Sequence, residues 1–213
     1  MPRASRPVTA PRKLPIQARS AQLVADILQA AIRVLELEGA QRFTTIRVAE
    51  RAGVSVGSLY QYFPNKQAIL YRLQLEEWEK TRATVDAILG DEKKSPAQRL
   101  RAMTRAFFHS ECEEAPLRSA LDALTPSYQE APELRAGRER SRPIIGAFLA
   151  AAAPRATARQ RAFAGQLLFT TVTAVGKELS ERRPSKPEIE RTADAIASML
   201  SSYFAALSPR NPG

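Results

Sequence analysis

The chain contains one cysteine, Cys112, and one histidine, His109. An internal disulfide needs two thiols, and a zinc cage needs about three or four Cys, His or carboxylate ligands. Neither a disulfide framework nor a Cys/His metal cage is therefore expected. No apolar run approaches the roughly 18 to 20 residues that span a bilayer. The first nineteen residues are basic and proline-rich, with no apolar stretch behind them to read as a signal peptide. The expectation is a cytoplasmic protein that is neither secreted through a leader nor membrane-embedded. Nine glycines and fifteen dispersed prolines exclude a collagen-like or low-complexity chain. Strand-like alternation and hairpin dipeptides of the Asn-Gly type are missing. So are an internal repeat, a phosphate-cradling glycine loop and a nucleophile with its base, so neither an enzyme nor a cofactor is expected.

What the chain does have is 44% apolar residues in 213, enough to bury a core in one or two domains. Its net charge of +10 is uneven. Residues 1–70 carry ten Lys and Arg against four Asp and Glu, whereas the other 143 carry 22 against 18. A positive field concentrated at the front suits a polyanionic partner.

Residues 1–19 hold Arg3, Arg6, Arg12, Lys13, Arg19 and four prolines but no acid, and read as a flexible arm. That arm is either plain disorder or a minor-groove arm. From Ser20, a candidate N-cap, Leu23, Ile27, Ala30, Ala31, Val34 and Leu35 recur at helical spacing up to a stop at Gly39. Thr44 can cap a second helix ending at Ala52, with Gly53 as its left-handed stop, and Ser55 can cap a third ending near Tyr62. A longer helix follows Pro64 and Asn65. Capping boxes at Ser95–Gln98, Thr157–Gln160 and Ser185–Glu188 start later helices over about 96–113, 157–182 and 187–207. Between them, Pro116, Pro126, Pro132 and Pro143 read as breaks. The fold expected is all-α with about nine helices. Its parts are the arm (1–19), a three-helix helix-turn-helix domain (20–66), a helical ligand-binding and dimerisation domain (67–208) and a tail (209–213).

Thr44 to Tyr62 would form the helix-turn-helix, with Val48, Ala49, Ala52, Val54 and Leu59 between the short helices and Phe63 against the first. That leaves Val56, Gly57, Ser58, Tyr60, Gln61 and Tyr62 as a small, polar outer surface able to enter a major groove. Gln61 can pair with adenine, Ser58 with either polarity of base edge, and Val56 can meet a thymine methyl.

The ordered run Ala52-Gly-Val-Ser-Val-Gly-Ser-Leu-Tyr-Gln-Tyr-Phe-Pro-Asn-Lys66, entered through Thr44-Thr-Ile-Arg-Val-Ala, closely resembles the DNA-binding domain of the TetR family of bacterial repressors. The resemblance covers about the first 70 residues. It implies that Thr45, Arg47, Val56, Gly57, Ser58, Tyr60, Tyr62 and Lys66 stand where the family commonly touches DNA, with Tyr60 and Lys66 suited to phosphates. Many relatives carry a basic residue where this chain has Ile46, so guanine recognition at that point is not expected. On the residues alone, a core aromatic is the lesser alternative for Tyr62, and a solvated helix face is an equal one for Arg47 and Arg51.

In the rear domain, the apolar 157–182 helix and the final helix would build a homodimer interface from Leu168, Val172, Val175, Leu179, Ile196, Leu200, Tyr203 and Phe204. Trp78, Met103, Phe107, Phe108, His109, Cys112, Tyr128, Phe148, Phe169 and Thr173 are candidates to line an effector pocket or simply to pack. His109 and Cys112, three residues apart, lack a third partner for ligation or catalysis. Glu111, Glu113 and Glu114 read as a solvated helix end or an acidic wall facing a cation. The function expected is a repressor that binds a palindromic operator and is released by a small molecule. The alternative is a ligand-independent, architectural DNA-binding dimer.

Overall fold

The computed structural model describes residues 18–122 and 132–207. Among them are eight α-helices, one 3-10 turn and no strand: α1 (Ala18–Glu38), the turn (Ala40–Arg42), α2 (Thr45–Ala52), α3 (Val56–Tyr62), α4 (Lys66–Leu89), α5 (Pro96–Asp122), α6 (Pro132–Ala152), α7 (Ala158–Glu181) and α8 (Lys186–Ala206). The expected all-α class is what forms. None of these helices is long and apolar enough to cross a membrane. Among the described residues two compact units exist, 18–77 with 116–122, and 78–115 with 132–207. Residues 1–17 of the basic arm and Pro126 lie outside the described residues, while Ala18 and Arg19, expected in the arm, belong to α1.

The first unit is assembled by local signals. Helix α1 starts at Ala18, two residues before Ser20, and buries Ile27, Ala31 and Val34. It stops at Gly39, whose φ of 76° favours glycine and whose N–H reaches back to the Leu35 carbonyl at 3.1 Å. Thr44 caps α2 by accepting from the Arg47 N–H, and Gly53 ends it at φ 68°. Ser55 caps α3 by accepting from the Ser58 N–H at 3.0 Å. Asn65 does the same for α4 through the Ala68 N–H at 2.9 Å. Buried Phe43, Val48, Ala49, Leu59 and Phe63 then fill the space among α1, α2 and α3.

The second unit is a layered bundle in which α6 packs on α7 and α8, and α7 on α8. Its core contains Leu100, Met103, Phe108, Phe148, Leu168, Val172, Leu179, Leu200 and Phe204. Buried Arg99 donates from Nη1 to the Leu89 carbonyl at 2.9 Å, placing positive charge at the negative end of α4. Its guanidinium also lies 5.6 Å over the Phe148 ring.

Three sequence expectations need correction here. Pro116 and Pro143 do not break the chain: α5 runs through the first and α6 through the second. Both prolines are exposed, and the apolar packing of each helix outweighs the one backbone bond a proline removes. Pro132 opens α6, where no N–H is required. The boxes at Ser95–Gln98 and Thr157–Gln160 form, but the Ser185 side chain makes no capping bond, and α8 instead begins with Pro187 in its first turn.

Asp194 of α8 accepts from both Arg101 and Arg105 of α5, with Arg105 Nε 2.7 Å away. The hydrogen bond from Arg101, then that from Arg105, hold the Asp194 carboxyl well below the usual carboxylate range. A carboxyl depressed in the folded state contributes stability that is complete above its unfolded pKa and fades as pH falls toward the folded one. The Tm difference between the parent and Asp194→Asn should accordingly be constant from neutrality to about pH 5 and shrink below about pH 4. Because the cluster is solvent-exposed, about 1 M salt should also diminish the difference at neutral pH. Thermal melts across pH and salt check both.

Candidate nucleic-acid interface

Helix α3 is seven residues long, and at about 100° per residue its side chains divide cleanly. Leu59 points inward, while Gly57, Tyr60 and Gln61 are exposed and Val56 is half-buried beside them. A Cβ placed on Gly57 would meet nothing nearer than Ser55 Oγ at 3.8 Å, so the start of α3 is open to close approach. Tyr60 is 41% exposed, and its hydroxyl shares a 3.1 Å hydrogen bond with that of Thr45 in the first turn of α2. This bond holds the phenol across the groove between the two helices. Lys66 is half-buried in the first turn of α4.

Three predicted contact residues sit differently from expectation. Tyr62 is only 9% exposed and joins the core, because it lies about 200° around α3 from Tyr60. The Ser58 hydroxyl is engaged with Ser55 Oγ at 2.8 Å, at the cap. The Arg47 guanidinium is paired with Glu38 at the end of α1. Its neighbour Ile46 is 54% exposed. Glu38 carries no signal in the sequence, since its pairing with Arg47 depends on how the α1–α2 connection turns. The resulting surface offers a hydroxyl at Tyr60 and an ammonium at Lys66 for phosphates, an amide at Gln61 for a base edge, and open space at Gly57.

In the second unit, the pocket candidates Met103, Phe108 and Phe148 are packed into the core, with Phe107 and Cys112 half-buried against it. Trp78 and His109 are also half-buried. A Cβ on Gly176 of α7 would lie 3.2 Å from Phe107 Cε1 and 3.3 Å from Phe108 Cδ1, so glycine allows α7 to pass tightly over these rings of α5. Phe169 does not line an interior: it is 52% exposed, with the Arg138 guanidinium 5.4 Å over its ring. The Thr173 hydroxyl donates to the Phe169 carbonyl of its own helix at 2.8 Å. Tyr128 lies outside the described residues. Glu111, Glu113 and Glu114 are not at a helix end, because α5 continues past the expected stop near 113 to Asp122; Glu113 is exposed, but Glu114 is buried and accepts from the hydroxyls of Ser110 and Thr81.

The expected dimer residues require the clearest correction. Leu168, Val172, Leu179, Leu200 and Phe204 are buried in the chain's own core, and Val175, Ile196 and Tyr203 pack against it. The opposite side of α7, with Phe163, Thr170 and Ala174, is exposed, as are Ala195, Met199 and Ser202 of α8.

Two family models match the chain. Residues 27–73 match the bacterial regulatory proteins of the tetR family. Residues 95–207, more than half the chain, match the tetracyclin repressor-like C-terminal domain. Over 72 residues the chain is 42% identical to the nucleoid occlusion factor SlmA of Alteromonas mediterranea, a stretch covering 33% of this chain and 36% of that protein. The chain thus spans only about a third of the length of that relative. Among solved structures, a putative TetR-family transcriptional regulator from Mesorhizobium loti superposes with a TM-score of 0.65 at 20% identity, covering 88% of this chain and 98% of that one. FadR from Bacillus subtilis, solved with stearoyl-CoA, superposes with a TM-score of 0.58 at 19% identity, covering 84% and 97%. At these identities the superpositions bear on the fold alone. With both the helix-turn-helix and the C-terminal domain matched, the chain belongs to the TetR family of bacterial regulatory proteins.

Proposed function

We propose that this protein is a homodimeric repressor that grips a palindromic operator with α3 and lets go when a small molecule enters its second unit. The observation that carries this reading is the exposed face of Gly57, Tyr60 and Gln61 with half-buried Val56 beside it, flanked by Thr45 and Lys66. A twofold dimer would set two copies of α3 about 34 Å apart, one helical turn of DNA. The surface suited to pairing is the uncovered side of α7 and α8, with Phe163 (59% exposed) and Met199 (53%). Release requires that the effector bind one spacing of the α3 pair better than another, since equal affinity for both shifts nothing. Helix α4, whose residues divide between the two units, is the proposed connection.

The identity with a nucleoid occlusion factor over the front third favours a second reading, a ligand-independent architectural dimer. The two diverge in one experiment. Footprinting DNA beside the protein's own gene should give a short palindromic protection, abolished by whichever compound raises Tm in a thermal-shift library screen. Protection indifferent to sequence, steeply dependent on salt and untouched by any compound would overturn the repressor and leave the architectural protein.

A further inference from the structure

Ile46 stands in the first turn of α2, and single exposed apolar residues are ordinary on protein surfaces. Its neighbours set this one apart. On one side is Thr45, bonded to Tyr60 of the candidate reading helix. On the other is Arg47, whose guanidinium is turned to Glu38. The tip of α2 therefore presents a branched hydrocarbon beside a polar, DNA-directed face. Val56, half-buried at the start of α3, adds a second apolar group next to the open space at Gly57.

Pressing hydrocarbon against phosphate or against a polar base edge strips water from groups that gain no partner. The major groove holds one apolar complement, the C5-methyl of thymine. We infer that Ile46, supported by Val56, is a specificity-determining residue that reads thymine methyls in the operator. The inference rests on the proposed DNA-reading role of α3 and adds the base class recognised. One buried methyl corresponds to about a fourfold change in affinity, or about 0.8 kcal/mol.

The test starts from a duplex that the full chain selects out of a random double-stranded library, remade with each thymine in turn replaced by uracil. The parent should bind about fourfold more weakly when the uracil falls at one or two positions of each half-site. Ile46→Ala, a truncation at an exposed site, should erase that difference at one of these positions while holding the uracil duplex as tightly as the parent does. Reselection with Ile46→Arg should replace thymine by guanine there, since an arginine can pair bidentately with guanine. Equal affinity of the parent for every uracil duplex overturns the inference, as does uracil sensitivity that persists undiminished in Ile46→Ala. In both of those cases DNA reading by α3 stands. Failure of any sequence to enrich overturns the DNA reading itself, and the thymine contact with it.

Discussion

Phe148→Ala should lower the unfolding free energy of the second unit by about 4 kcal/mol, roughly a thousandfold in its folding equilibrium. Phe148 is among the fully buried side chains, and its ring meets Phe204 edge-on at 6.4 Å with an interplanar angle of 75°. Its face carries the Arg99 guanidinium. Truncation removes apolar area, an aromatic pair and the aromatic cover of a buried cation whose Nε has no hydrogen-bond partner among the described residues. The walls cannot collapse freely onto the void, because α6, α7 and α8 pack on one another around it. The chain's single tryptophan, Trp78, lies in this unit and reports its unfolding by fluorescence. Urea titration should show a fallen midpoint with an unchanged slope. Phe148→Leu, which keeps most of the volume, should cost much less. A loss below about 1 kcal/mol for the alanine variant would mean that the site repacks and is not a keystone of the core.

Replacing Tyr60 and Lys66 together by alanine should weaken operator binding by about a hundredfold or more per half-site while leaving the fold intact. A charged hydrogen bond from Lys66 is worth about 1.5 to 3 kcal/mol and a neutral one from Tyr60 about 1 kcal/mol, which converts to a loss of that size. Removing the lysine should also flatten the dependence of log affinity on log salt by about one per subunit, whereas Tyr60→Phe should leave that slope alone. Fluorescence anisotropy on the footprinted duplex measures both quantities. Since Tyr60 is exposed and Lys66 only half-buried, circular dichroism melts should stay within about 0.5 kcal/mol of the parent. Should the double variant bind as tightly as the parent, α3 is not the reader.

The candidate interface was more legible in the sequence than the rear domain, for a reason visible in particular residues. Thr44, Gly53 and Ser55 act within four positions of themselves: two hydroxyls satisfy the nearest free N–H groups, and a glycine takes the one backbone conformation that ends α2. Such signals need no knowledge of distant chain. Even so, the sequence left Tyr62 open between core and DNA face and gave no sign of the pairing of Arg47 with Glu38, because both depend on what α1 and α3 pack against.

By itself, then, the order of residues determined where α1 ends, where α2 and α3 begin and end and which short helix shows a small polar face, since caps and turns close their hydrogen bonds locally. Tertiary structure alone decided which side of α7 is interior. Ala164, Leu168, Val172 and Leu179 on one side and Phe163, Thr170 and Ala174 on the other are both compatible with burial by spacing. Periodicity marks a face that would gain from leaving water; only the arrival of α6 and α8 from elsewhere in the chain selects the face that does.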